Sequence, residues 1–147
     1  MIAGIGIDVV DVPRFAEQLA APGTAFVEGT FTPGELRAAS EAGPGDRATR
    51  LAARFAAKEA FVKAWSGSAW GRAPRVDAID LRHVEVVRDA WGRVRLALHP
   101  ELARHLDADG ITIAHLSLSH DGTVAAATVV LERPDRPANE RPDEHRA

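Results

Sequence analysis

The stretch RATRLAARFAAKEAFVKAW, residues 47–65, reads as one long helix and sets the architecture around it. Leu51, Phe55, Val62 and Trp65 fall near one stripe at helical spacing. Alanines fill the gaps, and Ser66-Gly67-Ser68 provides the stop. Five basic residues (Arg47, Arg50, Arg54, Lys58, Lys63) stand against one acid, Glu59, so the segment carries +4 within a chain of net charge −3. The remainder therefore carries −7. A basic segment in an acidic protein is ordinarily a solvated face, and the alternative is a surface that meets an anionic ligand.

Outward from this helix, Ile2 to Val10 reads as a strand in which Ile5, Ile7 and Val9 alternate with Gly4, Gly6 and Asp8. Asp11 caps a short helix with Pro13 in its first turn, running to about Ala20. Thr32-Pro33-Gly34-Glu35 is a capping-box pattern that starts another helix through about Glu41, closed by Gly43-Pro44-Gly45. Beyond the long helix, a loop runs to Arg75. His83–Arg88 and Val94–Leu98 then form a hairpin about Ala90-Trp91-Gly92, and a short helix spans Pro100 to Asp107. Ile111–Ser119 and Thr123–Leu131 make a second hairpin, for which Asp121-Gly122 is the turn signal. The order β-α-α-α-β-β-α-β-β predicts an α+β domain over residues 1–132, an antiparallel sheet packed on one long helix. Residues 133–147, rich in proline and charge with no large apolar side chain, read as a disordered tail.

At 147 residues the chain fits one domain. The absence of cysteine removes disulfides and thiolate metal sites and fits a reducing, cytoplasmic compartment. The N-terminal apolar run is broken by Asp8 and Asp11 and has no basic residue before Arg14, which argues against a signal peptide or membrane span. The acidic balance gives no reason to expect nucleic acid as a partner.

Four groups of side chains could carry chemistry. Asp8 sits in an apolar, glycine-rich strand, where a carboxylate is expensive to bury unless it is paired or holds a cation. A solvent-facing strand aspartate is the plainer reading. Glu59 follows Phe55 and precedes Lys63 by four residues each. It could be a surface ion pair worth about 0.2–0.5 kcal/mol, but it borders the Phe55/Val62 stripe. Two carboxylates from different elements, completed by water and phosphate oxygens, suit magnesium. Arg54, Lys58 and Lys63 could neutralise a pyrophosphate, or merely solubilise the helix. In the run His115-Leu116-Ser117-Leu118-Ser119-His120-Asp121, strand alternation puts His115, Ser117 and Ser119 on one face, with His120 and Asp121 at the turn. A hydrolase triad fits poorly there, since adjacent strand residues point apart and no G-x-S-x-G elbow is present. Zinc also fits poorly, because His115 and His120 lack helical spacing and no cysteine assists.

Together, GIGIDVVDVPRF at 4–15, RFAAKEAFVKAW at 54–65 and HLSLSHDGTVAAATVVLE at 115–132, with the hairpin VEVVRDAWGRVRL, resemble the holo-acyl-carrier-protein synthase family of phosphopantetheinyl transferases. The resemblance covers residues 1 to about 132. It implies magnesium held by Asp8 and Glu59 and bridged to the pyrophosphate of coenzyme A, with Lys63 near the transferred phosphate. It places Arg54, His120 and Asp121 at the adenosine 3′-phosphate end, and extends the coenzyme contacts to Lys58 and Ser119. Arg14 falls on the helix offered to the acidic helix of an apo-acyl carrier protein. The resemblance further implies a homotrimer with active sites between subunits. The implied reaction is attack by a carrier serine on the β-phosphate, releasing adenosine 3′,5′-bisphosphate for fatty acid or polyketide biosynthesis. Glu59 acting through a water is the first candidate for the base, and His120 and Asp121 are others. One departure is that Gly92-Arg93 is followed by Val94 where the family usually has proline. A magnesium-dependent nucleotide pyrophosphate hydrolase and an inactive coenzyme A-binding module are the rival readings.

Overall fold

Five helices and five strands follow one another along the computed structural model, which describes residues 1–41 and 47–135. The order is β1 (Ile2–Asp11), α1 (Val12–Ala20), α2 (Phe26–Thr30), α3 (Pro33–Ser40), α4 (Arg47–Ser68), a 3-10 turn (Leu81–His83), β2 (Val84–Arg88), β3 (Val94–Leu98), α5 (Pro100–Ala108), β4 (Ile113–Asp121) and β5 (Val124–Glu132). The antiparallel strands divide into two sheets rather than one, β1-β5-β4 and the hairpin β2-β3. The first sheet lies across α4. The Gly43-Pro44-Gly45 helix stop falls outside the described residues, as does the expected tail from residue 136 on. Arg133 to Asp135 remain tied to the body, since the Met1 ammonium donates to the Arg133 carbonyl at 2.8 Å and to Asp135 at 2.9 Å.

The start signals act as their chemistry predicts. Asp11 accepts from the Arg14 amide at 2.9 Å, and Thr32 and Glu35 complete a reciprocal capping box. Helix α2 escaped the sequence reading because it is five residues long, too short for a periodic signal. Its Phe26 is held in a cluster with Phe15, Phe31 and Phe55, with ring centroids 5.4–6.5 Å apart. Helix α4 runs a turn beyond Trp65, to Ser68. Of the expected stripe, Leu51 and Trp65 are buried while Phe55 and Val62 are only half-buried, and Phe61 with the alanines of the helix completes the core.

Small residues allow this packing. Gly4 and Gly6 of β1 face α4, and a Cβ on Gly6 would lie 1.9 Å from the Ala60 carbonyl oxygen, one on Gly4 2.1 Å from that of Ala64. Ala125, Ala127, Val129 and Leu131 continue the same sheet face on β5. Alternation along β1 is as expected, but its polarity is inverted. Ile5, Ile7 and Val9 are 61%, 60% and 61% exposed, while Asp8 turns inward with the glycines.

Lys58 is a correction. Expected at the coenzyme, it is fully buried, and its ammonium donates to Glu35 Oε2 at 2.8 Å, Leu81 O at 2.9 Å and Val84 O at 2.6 Å. An ammonium has three protons, so none is left for a ligand. Glu35 in turn accepts from the Val86 amide at 2.9 Å and the Thr32 amide at 3.0 Å. One buried ion pair thus ties α3, α4, the 3-10 turn and β2 together.

Two stability predictions follow from these contacts. Gly6→Ala is expected to lower the free energy of urea unfolding by about 3 kcal/mol, because backbone stands in the way of the new methyl. Gly67→Ala, with open space around it, should change that free energy by less than about 1 kcal/mol. Equal midpoints for the two variants would refute the close-approach account. Lys58→Met leaves the Glu35 carboxylate buried without a cation and should cost about 3–5 kcal/mol. Adding Glu35→Gln should recover part of that loss, and a double variant no more stable than Lys58→Met alone would count against the pairing.

Candidate active site

Where β1 crosses α4 at Gly6 and Ala60, the next inward residue of the strand, Asp8, comes beside the preceding residue of the helix, Glu59. Glu59 and Lys63 are one turn apart on α4, and the Lys63 ammonium reaches Asp8 Oδ1 at 2.7 Å and the Ile7 carbonyl at 3.2 Å. The Asp8 side chain is 16% exposed and that of Lys63 54%. Partial burial pushes the Glu59 carboxyl above the usual carboxylate range; the Asp8 charge adds to this and Lys63 opposes it. The two acids are therefore close enough to feel each other, in a place where a cation lowers the energy of both.

An open groove runs from these carboxylates between β1 and α1, past Asp11, Arg14, Gln18 and Phe55. On its other side Glu59 borders a half-open cavity of about 770 Å³ walled by Val62, Trp65, Val76, Ile79 and Leu81, with Arg72 and Arg75 at its edge. Nothing in the sequence of the loop that runs to Arg75 announces this cavity. Asp109 fixes that loop by accepting from Arg75 Nε at 3.0 Å and from Trp65 Nε1 at 2.8 Å. The donor set suits magnesium. Asp8 and Glu59 offer hard oxygens only, and the groove leaves room for water and phosphate to complete a shell.

Other expected site residues lie elsewhere. Arg14 is exposed on α1 and lines the groove, with Glu17 and Gln18 beside it. Arg54 lies one turn before Lys58, on a different side of α4 from the Glu59/Lys63 pair. It is 8% exposed and donates to the Arg50 carbonyl at 3.0 Å, and its Nε has no hydrogen-bond partner among the described residues. Burial holds the Arg54 guanidinium below its ordinary pKa; Glu35 opposes the shift, and Arg50 and Arg88 add to it. Ser119, His120 and Asp121 are exposed at the far end of β4. Pairing through β5 places Ser119 in register with Val9, on the outward face. His120 falls in register with Val10 on the inward face, and Asp121 with Asp11. No hydrogen bond or ion pair among the described residues joins this group to Asp8, Glu59 or Lys63. Within one chain the site residues thus form separate groups.

A family model described as the 4′-phosphopantetheinyl transferase superfamily matches residues 4–128. A holo-[acyl-carrier-protein] synthase of Mycobacterium ulcerans is 53% identical over 131 residues, covering 89% of this chain and 97% of the relative. The acyl carrier protein synthase of Mycobacterium tuberculosis superposes with a TM-score of 0.72 at 46% identity, covering 91% of this chain and all of that one. A synthase–coenzyme A complex from Chronobacterium ammoniagenes gives a TM-score of 0.80 at 42% identity, covering 90% and 98%. With the family match spanning nearly the whole domain and relatives this similar along almost their full length, the chain belongs to the 4′-phosphopantetheinyl transferase superfamily.

Proposed function

We propose that this protein transfers the 4′-phosphopantetheine arm of coenzyme A to a serine of an apo-acyl carrier protein, with Mg²⁺ held by Asp8 and Glu59. The observation that carries the reading is the meeting of these two carboxylates and Lys63 beside an open groove. Magnesium bound there supplies positive charge to the pyrophosphate. Lys63 holds Asp8 in place and sets a second cation near the transferred phosphate. Glu59, at the edge of the groove, takes the serine proton through a water. As the serine Oγ–P bond forms, the pyrophosphate P–O bond breaks and adenosine 3′,5′-bisphosphate leaves with the electron pair.

Arg54, Ser119, His120 and Asp121 remain the proposed contacts for the 3′-phosphate end. Lys58 is not among them. The separation of Ser119–Asp121 from the carboxylates within one chain favours a site assembled between subunits. The outward row Ile5, Ile7, Val9 on β1, flanked by Val130 on β5, gives such an assembly an apolar face to cover. We therefore extend the proposal to a homotrimer. Arg14, on the rim of the groove, is the proposed contact for the carrier's acidic helix. No helix among the described residues is long and apolar enough to cross a membrane. A cytoplasmic role in fatty acid or polyketide biosynthesis completes the reading.

Intact-mass spectrometry of an apo-acyl carrier protein incubated with the protein, coenzyme A and Mg²⁺ tests the reaction. A gain of one phosphopantetheine is expected, abolished by a chelator and slowed at least about 100-fold by Glu59→Ala. Arg14→Glu should slow the initial rate at low salt and flatten its salt dependence. No mass gain, with free phosphopantetheine in solution, would replace the transferase by a pyrophosphate hydrolase. Ile7→Lys tests the assembly: light scattering should report dissociated subunits with little transferase activity. A fully active monomer would refute shared sites.

A further inference from the structure

The hairpin β2-β3 begins and ends on a histidine. His83 closes the 3-10 turn just before β2, and His99 follows β3 directly. The His99 amide donates to the His83 carbonyl at 2.9 Å, which extends the ladder by one pair and sets the imidazoles side by side. Their rings stack with centroids 4.3 Å apart and planes 14° from parallel. His99 is also the N-cap of α5, and Glu101, in the first turn of that helix, brings its carboxylate to the same spot. One ligand atom from each of His83, His99 and Glu101 lies within 4.8 Å of the others.

We propose that His83, His99 and Glu101 form a second metal site, specific for a zinc-class transition ion rather than for magnesium. Two imidazoles and a carboxylate are a nitrogen–oxygen donor set, which borderline ions such as Zn²⁺ and Co²⁺ prefer and Mg²⁺ does not. Ligand bonds of about 2.0–2.2 Å put the ligand atoms of a tetrahedral site roughly 3.3–3.5 Å apart. Contraction by up to about 1.5 Å is therefore needed, with the two stacked rings rotating so that their in-plane lone pairs converge, and both movements fall mainly on the exposed side chains of His99 and Glu101. Neither is locked elsewhere. Glu101 has no ion-pair partner among the described residues, and the Glu101 amide reaches His99 Nδ1 only at 3.4 Å, too long to fix the ring. His83 has an outer partner in Asp80, whose Oδ2 stands 4.0 Å from His83 Nε2 and is itself held by Arg82 at 2.6 Å. At 4.0 Å the Asp80 carboxylate lies beyond hydrogen-bond distance, so the His83 imidazole can turn toward an ion.

The site is independent of Asp8 and Glu59, which lie on β1 and α4. What it joins is a two-stranded hairpin, marginal as a unit by itself, and the start of α5. Bound metal staples the three pieces together.

The test uses untagged, full-length protein in excess Mg²⁺, which occupies the oxygen-only site. Calorimetric titration with Zn²⁺ should show one equivalent bound, with a rise in melting temperature. Co²⁺ should give the visible absorption of a four-coordinate ion. His83→Ala and His99→Ala should each weaken binding at least tenfold, and so should Glu101→Gln, which changes one exposed carboxylate and leaves the fold intact. Glu59→Ala should still bind the zinc equivalent. Absence of zinc binding to the parent protein overturns the proposal. Binding unchanged in the His83, His99 and Glu101 variants, or lost only in His115→Ala, moves the site elsewhere and overturns it equally.

Discussion

The close approach of α4 to β1 is the constraint on which the rest of the molecule depends. A helix and a strand normally keep a layer of side chains between them. Here Gly4 and Gly6 remove that layer on one side and the alanines of α4 on the other, until the Ala60 carbonyl occupies the space of a Gly6 methyl. At an ordinary spacing Asp8 and Glu59 would stand farther apart, each solvated and of little consequence to the other. At the observed spacing burial raises the Glu59 pKa, the Asp8 charge adds to the shift, and Lys63 spans from helix to strand. Site chemistry follows from backbone proximity, and backbone proximity follows from two glycines.

The same contact accounts for the exposed apolar face. Once the glycine side of β1 is committed to the helix, Ile5, Ile7 and Val9 must point the other way. In a half-buried strand the apolar row is ordinarily the inward one. Period-two alternation was plain in the residues, but which row would be buried was not. That choice depends on the partner, since only a surface as flat as glycine and alanine admits a helix this near. Asp8 was accordingly legible as an oddity, a carboxylate among apolar residues, while its inward orientation needed the packing.

Legibility elsewhere divides along the same line between local and long-range causes. Capping at Asp11 and Thr32 depends on hydroxyl or carboxylate groups within three residues, and both motifs form as their patterns require. The β4-β5 hairpin closes around Gly122 at φ 54°, a left-handed turn that Asp-Gly announces. Helix α2 and the cavity beside Trp65 left no such trace, because both exist through contacts between distant segments. Phe26 meets Phe15 and Phe55, and Arg75 meets Asp109. The stacked His83 and His99 belong to the same class, sixteen positions apart in sequence and adjacent only because β2 and β3 pair in register.

Lys58 and Lys63 show why composition alone could not sort the basic helix. Both are lysines on α4, five positions apart, and each residue advances the helix by about 100°. Five steps turn the side chain by roughly 140° beyond a full revolution, so the two cannot face the same neighbour. Lys58 meets Glu35 and two carbonyls in the core, where a charge survives because every proton has an acceptor. Lys63 meets Asp8 at the mouth of the groove, where half of its side chain stays in water. Charge count alone left a solvated face and an anion-binding surface both open for the +4 segment, and burial divides it. Lys58 and Arg54 are buried on the side nearer Glu35, and Lys63 alone shares a face with Glu59. What distinguishes a structural cation from a functional one on this helix is therefore angular position relative to Gly6, and that angle is fixed once the strand and the helix touch.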